Sequence, residues 1–216
     1  MKKILVIAAH YDDEVLGVGG TLLKHKEAGD EIYICIIAKG FPPEWTEEHN
    51  KKQLEQAEQV DQILGTKKRF HCELPAVRLN TIPSGEFNKK ISQIVNEVRP
   101  DVVYTHFEHD INIDHKLAFQ AANVATRPTQ SKKIKFICFE TPSSTEWGTI
   151  AFKPNFYVNI SDHIDKKITA FLVYESEVKK YPHPRNPNAI KNLAKIRGSE
   201  AIMNYAEALK IIRNYE

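Results

Sequence analysis

Cysteine is scarce in this 216-residue chain, with Cys35, Cys72 and Cys138 standing singly and far apart. Three such thiols give no disulfide framework and no cysteine-type zinc site. Two of them lie in or beside apolar runs, as small buried hydrophobes in a reducing compartment do. An excess of charge of one sign is missing too. Thirty Lys and Arg face 28 Asp and Glu, a formal net charge of +2, with the signs interspersed. The concentrated basic face that steers nucleic acid is therefore not expected, and Lys132-Lys133 and the basic stretch near Lys191 read as solvated surface. No apolar run reaches the length of a membrane span, so membrane insertion is not expected. The opening Met1-Lys-Lys-Ile-Leu-Val-Ile-Ala-Ala9 imitates a signal peptide, but the stretch is short and His10-Tyr-Asp-Asp-Glu14 breaks it. A cytoplasmic protein is the expectation. Internal repeats, low-complexity tracts and linkers are lacking as well, and the length suits a single domain over 1–216.

What is present is an alternation of strand and helix patterns. Lys3 to Ala9 is a near-continuous apolar run, as in an interior parallel strand. Gly17-Val-Gly-Gly20 leads into a helical pattern from Thr21 that Gly29-Asp30 stops, and Glu31 to Ala38 is the next strand. Glu47 to Leu64 is predicted as a long charged helix with Leu54, Ala57, Val60, Ile63 and Leu64 on one face and Gly65 ending it. Arg69 to Cys72 reads as a short strand. Phe87 to Val98 reads as a helix with Phe87, Ile91, Ile94, Val95 and Val98 inward, and Asp101 to Thr105 as a strand. A helix over His115 to Ala125, strands at Ile134 to Phe139 and Phe156 to Ile160, and a helix capped by Ser161 and Asp162 follow. Three prolines keep Tyr181 to Pro187 extended or turning, and Ala189 to Ile212 reads as a helical tail broken near Gly198. This order predicts an α/β fold, an open, mostly parallel sheet covered on both faces.

Two polar clusters follow apolar strands: Ala9-His-Tyr-Asp-Asp-Glu14 after Ile4 to Ile7, and His106-Phe-Glu-His-Asp-Ile-Asn-Ile-Asp-His115 after Val102-Val-Tyr104. Burial accounts for the strands but not for these residues. In a parallel sheet the two loops can meet at one edge. His10, Asp13 and His115 would then offer zinc two imidazoles and a carboxylate with positions left open for water and substrate. Zinc lowers the pKa of its water from about 16 toward about 7 and stabilises an oxyanion. Asp12 suits a general base, and His106, His109 and His183 are the candidates for an acid that protonates a leaving amine. Glu14 would brace the first loop.

Each position also has a blander reading. A histidine at a strand end is usually a satisfied polar residue, and Asp-Asp before a helix is commonly an N-cap. Gly17-Val-Gly-Gly20 is a weak nucleotide loop whose neighbouring carboxylates would repel phosphate. Asp110-Ile-Asn-Ile-Asp114 faintly matches a calcium loop but lacks its downstream Gly and Glu. The pairing of two clusters at strand ends outweighs these readings.

At these residues the chain resembles the LmbE-like N-acetylglucosaminyl deacetylases, related to the PIG-L enzymes. The family's Ala-His-Pro-Asp-Asp-Glu appears as Ala9-His-Tyr-Asp-Asp-Glu14, followed by Gly19-Gly-Thr21, and its second motif ends in Asp114-His115. The resemblance implies a Rossmann-like three-layer αβα fold and zinc on His10, Asp13 and His115. It implies Asp12 as base, and removal of acetate from an N-acetylated sugar or its conjugate by metal-activated water. Tyr11 replaces the family's proline, which adds a hydroxyl near the metal. Asn112 stands where many members carry a histidine that acts as acid, so another histidine supplies the proton or Asp12 acts twice. Asp114, that histidine's orienter, instead fixes His115 or pairs with His106. Glu140 and Glu146, in a polar loop, and Trp45, His183 and Arg185 are substrate-binding candidates, with Trp147 able to stack on a sugar. Arg197 and Glu207 are expected to pair within the tail. Homo-oligomers are implied by analogy. A sugar- or nucleotide-binding module on the same fold, with a structural metal or none, and magnesium-assisted phosphoryl chemistry are the alternatives; the histidines argue against the latter.

Overall fold

Side-chain alternation in the first strand already sorts the core into two layers. In β1 (Lys3–Ala8), Ile4, Val6 and Ala8 pack into one apolar cluster while Leu5 and Ile7 pack into another on the opposite face of the sheet. Both faces of such a strand are buried, which is why its sequence reads as continuous apolar residues. The computed structural model describes residues 1–129 and 132–215. The remaining strands are β2 (Glu31–Lys39), β3 (Thr66–Pro75), β4 (Val102–His106), β5 (Lys135–Phe139), β6 (Phe156–Asn159) and β7 (Ala206–Arg213). They form one sheet in the order β3-β2-β1-β4-β5-β7-β6, in which only β7 runs antiparallel to its neighbours.

The helices are α1 (Asp13–Glu27), α2 (Glu47–Leu64), α3 (Ser84–Val98), α4 (Ile113–Ala125), α5 (Ile164–Val173) and α6 (Pro187–Ser199). Helices α1, α2, α5 and α6 send apolar residues into the first cluster, and α3 and α4 into the second, which makes three layers. The expected inner stripe of α3 is buried in full. Gly65 ends α2 at φ 74°, a left-handed C-cap that only glycine adopts without strain.

Several expectations are corrected. The first helix does not wait for Thr21. It starts at Asp13 and runs through the glycines with a break at Val18, whose φ of −139° is not helical. The glycines serve close packing: a Cβ on Gly17 would fall 2.2 Å from Phe139, and one on Gly20 2.7 Å from Ile160. Leu54, placed on the inner face of α2, is exposed, while Gln56 is buried beside Ala57. The short strand at Arg69 to Cys72 is the middle of the ten-residue β3. Neither Ser161 nor Asp162 caps α5, which begins after His163; the Ser161 hydroxyl turns back to Asn159. The helical tail ends at Ser199, and Ala206 to Arg213 is strand β7, held between β5 and β6. Sheet pairing overrides the helix preference of its Ala, Glu, Leu and Lys.

Candidate metal centre

The sheet places β1 directly beside β4, and the chain leaves the two strands toward opposite flanks of the sheet. Ligands of open α/β sheets sit beyond the strand carboxyl ends at such a reversal of order. Here β1 runs into His10 to Asp13 and β4 into Asp110 to His115, and one potential ligand atom from each of His10, Asp13 and His115 lies within 4.8 Å of the others. His10 Nδ1 is 3.4 Å and His115 Nε2 3.5 Å from Asp13 Oδ2.

The partners of the other ring nitrogens decide what these atoms carry. His10 Nε2–H donates to Asp114 Oδ2 at 3.0 Å, which leaves a lone pair on Nδ1. His115 Nδ1 is 3.3 Å from Asp110 Oδ1, which leaves Nε2 as the lone-pair nitrogen. Lone pairs of two imidazoles and a carboxylate thus converge, and two of the buried atoms, Asp13 Oδ1 and His115 Nε2, have no hydrogen-bond partner among the described residues. Buried polar atoms are seldom left so. Protons or a cation must supply the missing positive charge. In the absence of metal the protein draws protons: burial disfavours the His10 imidazolium, but the flanking carboxylates of Asp114 and Asp13 carry its pKa up to about 10. Burial pushes the Asp13 carboxyl up, and the rings of His115 and His106 outweigh it and hold the group well below the carboxylate range. A borderline-to-hard N₂O set with oriented outer nitrogens suits zinc, and these residues fit such an ion.

Asp12 occupies the N-cap position of α1, yet its side chain makes no cap bond. It sits at φ 93°, in the strained left-handed half of the map, 1 % exposed. Its Oδ2 accepts from Arg185 Nη1 at 2.9 Å, and the same nitrogen reaches Glu177 at 2.8 Å while Arg185 Nε holds the Ser143 hydroxyl. Burial raises the proton affinity of Asp12 well above that of an ordinary carboxylate, against the pull of Arg185. Glu14 braces the turn as expected: it accepts the Asp12 N–H and also ties in Arg69 and the Tyr174 hydroxyl.

The remaining expected residues fall into two groups. Trp45 lines one cavity with His10, Tyr11, Asp12 and Arg185, and Arg185 also lines a second cavity with Asp114 and Trp147. His183 adjoins this region, its ring 6.4 Å from that of Trp147 and its Nδ1 accepting the Arg185 N–H. The others are committed elsewhere. His106 is fully buried, its Nε2 accepts the Ala9 N–H, and its Nδ1–H faces Thr141. Burial lowers its pKa to about 4, so at neutral pH it has no proton to give a substrate and serves as a wall stacked on His115 at 3.9 Å. His109 turns to Glu108 and Phe107, outside the cluster. Glu140 is held in a bidentate pair by Arg197, and Glu146 folds back onto the N–H groups of Ser143 and Ser144. Glu207 pairs with Lys167, not with Arg197. Asp114 orients His10 rather than His115 or His106. The Tyr11 hydroxyl goes to His71, and Asn112 caps α4 by accepting the Asp114 N–H.

Asp110 was missed. Its carboxylate, held near a pKa of about 2 against its burial by His115, Ser144 and Thr145, is the orienter of His115. Its place in the faint calcium-loop pattern was the available signal.

Comparison with known proteins finds a matching family and structures of the same fold. The family described as PIG-L, GlcNAc-PI de-N-acetylase, matches residues 5–126. The diacetylchitobiose deacetylase of Thermococcus kodakarensis is 25% identical over 98% of this chain and 84% of its own length. The conserved protein TT1542 of Thermus thermophilus superposes with a TM-score of 0.81 at 25% identity, over 100% of this chain and 97% of its own. The 4-carboxy-2-hydroxymuconate hydratase GalB of Pseudomonas putida superposes with a TM-score of 0.80 at 22% identity, over 100% and 98%, a likeness of fold alone.

Proposed function

The chain belongs to the PIG-L family, and from that premise we propose that it is a zinc-dependent hydrolase that removes the N-acetyl group from an N-acetylated amino sugar or its conjugate. One observation carries the reading: lone pairs of His10, Asp13 and His115 converge beside a buried carboxylate, Asp12, whose side chain makes no cap bond and which lies outside the converging set.

Zinc held by those three residues would polarise the amide carbonyl and acidify water. The rest is the work of the chain's own groups. Asp114 and Asp110 keep the outer nitrogens of His10 and His115 occupied, so that the inner ones stay free. Asp12, with its raised proton affinity, takes the proton of the attacking water. Arg185 holds the Asp12 carboxylate in place and opposes the rise in proton affinity that burial causes. His106 is neutral, with its one N–H turned to Thr141 and its other nitrogen taken by the Ala9 N–H, and Asn112 is a helix cap, so neither supplies the proton that the departing amine needs, and Asp12 returns it. Trp45, His183 and Arg185 border the space a sugar would fill.

The test is Asp12→Asn. Zinc content should stay at the wild-type level while release of acetate from diacetylchitobiose falls by about 10²–10⁴-fold; full activity in the variant would remove Asp12 as base. A binding module on the same fold would instead yield no acetate with any metal. The reading takes 1–216 as one cytoplasmic domain acting on a small molecule, without nucleic acid or insertion into a membrane. Among the described residues no helix is long and apolar enough to cross one. Light scattering tests the homo-oligomer.

A further inference from the structure

Two of the three thiols meet. Cys35 on β2 and Cys72 on β3 point into the same apolar layer, and their sulfurs lie 3.7 Å apart. Cys138, on β5, stands three strands along the sheet from Cys35. A buried cysteine is ordinarily a small hydrophobe, and Cys138 fits that description, its thiol pKa pushed far up by burial. The pair on β2 and β3 departs from it in its sulfurs and in its backbone.

The Cys35 S–H is placed to donate to Cys72 Sγ, and Lys90 Nζ donates to the Cys72 carbonyl. The bond from Cys35 lowers the Cys72 thiol pKa against burial, with Lys90 helping, and the same bond raises that of Cys35. Cys72 thus has the thiolate character of an attacking sulfur, and Cys35 stands beside it as a resolving one. β3 is also an edge strand, and Cys72 is flanked there by the exposed His71 and Glu73. Such margins open locally at less cost than the middle of a sheet. The β2–β3 register slips between Ile36 and Ala38, opposite Cys72 and Glu73, and Glu73 holds φ at 53°. A disulfide spans about 2.05 Å, so the sulfurs must close by about 1.7 Å, which side-chain rotation and a small shift of this irregular edge supply.

We propose that Cys35 and Cys72 are a dithiol that hydrogen peroxide closes to a disulfide between β2 and β3 and that a small thiol reopens. The Cys72 thiolate attacks one oxygen of the peroxide and breaks the O–O bond, which leaves a sulfenic acid on Cys72; the departing hydroxide takes the thiol proton as water. The Cys35 sulfur then attacks the Cys72 sulfur, the S–O bond breaks, and the second hydroxide leaves with the Cys35 proton as water. Two thiols give two electrons to one peroxide, and two molecules of a small thiol return them. A transient bond of this kind is compatible with a reducing compartment. It closes one residue from His71, which holds the Tyr11 hydroxyl beside the metal loop. The proposal does not depend on the deacetylase reading.

The experiment treats the folded full chain with a small excess of hydrogen peroxide, quenches it, counts thiols in denaturant and maps the peptides by mass. The count should fall from three to one, the intact mass should drop by two hydrogens, and a peptide linking Cys35 to Cys72 should appear while Cys138 stays alkylatable. Dithiothreitol should restore all three thiols. Cys35→Ser removes the resolving sulfur and should stop at a Cys72 sulfenic acid that dimedone traps; Cys72→Ser should leave Cys35 reduced. The same peroxide on protein unfolded in urea should lose the selectivity against Cys138. Three thiols that persist in the folded chain overturn the proposal. So does oxidation that adds oxygen without the linking peptide, that consumes Cys138 as readily as the pair, or that joins two chains in place of two strands.

Discussion

Asp114 Oδ2 accepts both the Nε2–H of His10, 104 residues away, and the backbone N–H of Val77. One carboxylate oxygen therefore ties the loop after β1 to the start of α4 and to the turn after β3. With Nε2 engaged, His10 can present only Nδ1 to a metal. Asp114→Ala should leave the fold intact and weaken zinc binding by about 10–100-fold, the usual loss when a ligand's orienting partner is removed. Asp110→Ala should do the same through His115. Competition with a chromogenic chelator measures both, and wild-type affinity in either variant would remove that carboxylate's assigned role.

Arg185 bonds to Asp12, Glu177 and Ser143 and to none of the three ligands. Arg185→Met should keep zinc content at the wild-type level and lower kcat by up to about a hundredfold, because a small displacement of the base is enough for such a loss. Arg185→Lys restores the charge without the planar fork and should recover part of that loss. If kcat is unchanged and only KM rises, Arg185 contacts substrate and does not position Asp12.

The layers and the convergence of His10, Asp13 and His115 were legible because they rest on short-range patterns: apolar strands, one helical stripe, and His and Asp directly after strand ends. What escaped depends on contacts between distant segments. Ala206 to Arg213 has the composition of a helix and becomes a strand only because β5 and β6 flank it. His106 looked like an acid from its place at a strand end, but whether a histidine holds a proton is set by its partners, here the Ala9 N–H and Thr141. Asp110 and Asp114 share one loop and serve different histidines, a division that only the packed structure reveals.

A buried neutral histidine gives stability a defined pH dependence. The pKa of His106 is lowered to about 4 from 6.5, by burial and then by His115. Partial desolvation lowers those of His25 and His71 as well. A basic group with a depressed folded pKa contributes stability above its unfolded pKa and loses it as pH falls toward the folded value. His106 alone accounts for about 3 kcal/mol between pH 6.5 and about 4. His10 acts in the opposite sense at higher pH: its pKa of about 10 favours the metal-free fold below 6.5, and that contribution fades as pH rises through 10. Urea unfolding of metal-free protein should therefore show a stability decline from pH 6.5 to 4, and His106→Gln should flatten it. A decline of the same slope in the variant would assign the effect to other groups.

Lys167 and Glu207 are inserted into the break of α1. In an unbroken helix the Gly20 N–H would donate to the Leu16 carbonyl. Here Leu16 O receives Lys167 Nζ at 2.8 Å, and the N–H groups of Gly20 and Thr21 donate to Glu207 at 2.8 and 2.7 Å. The pair itself meets at 2.6 Å, with both side chains about 5 % exposed or less. It satisfies the backbone that the Val18 kink sets free, next to the close approach of Gly17 to Phe139. Removing one partner strands the other as a buried charge, so Lys167→Met should cost about 3–5 kcal/mol. Glu207→Gln keeps an acceptor for the freed N–H groups and should cost less than Glu207→Ala, which abandons them. Chemical denaturation of the three variants gives the order. If Lys167→Met is neutral and the two Glu207 variants are equal, the kink is held by packing of Gly17 and Gly20, and the ion pair is incidental to it.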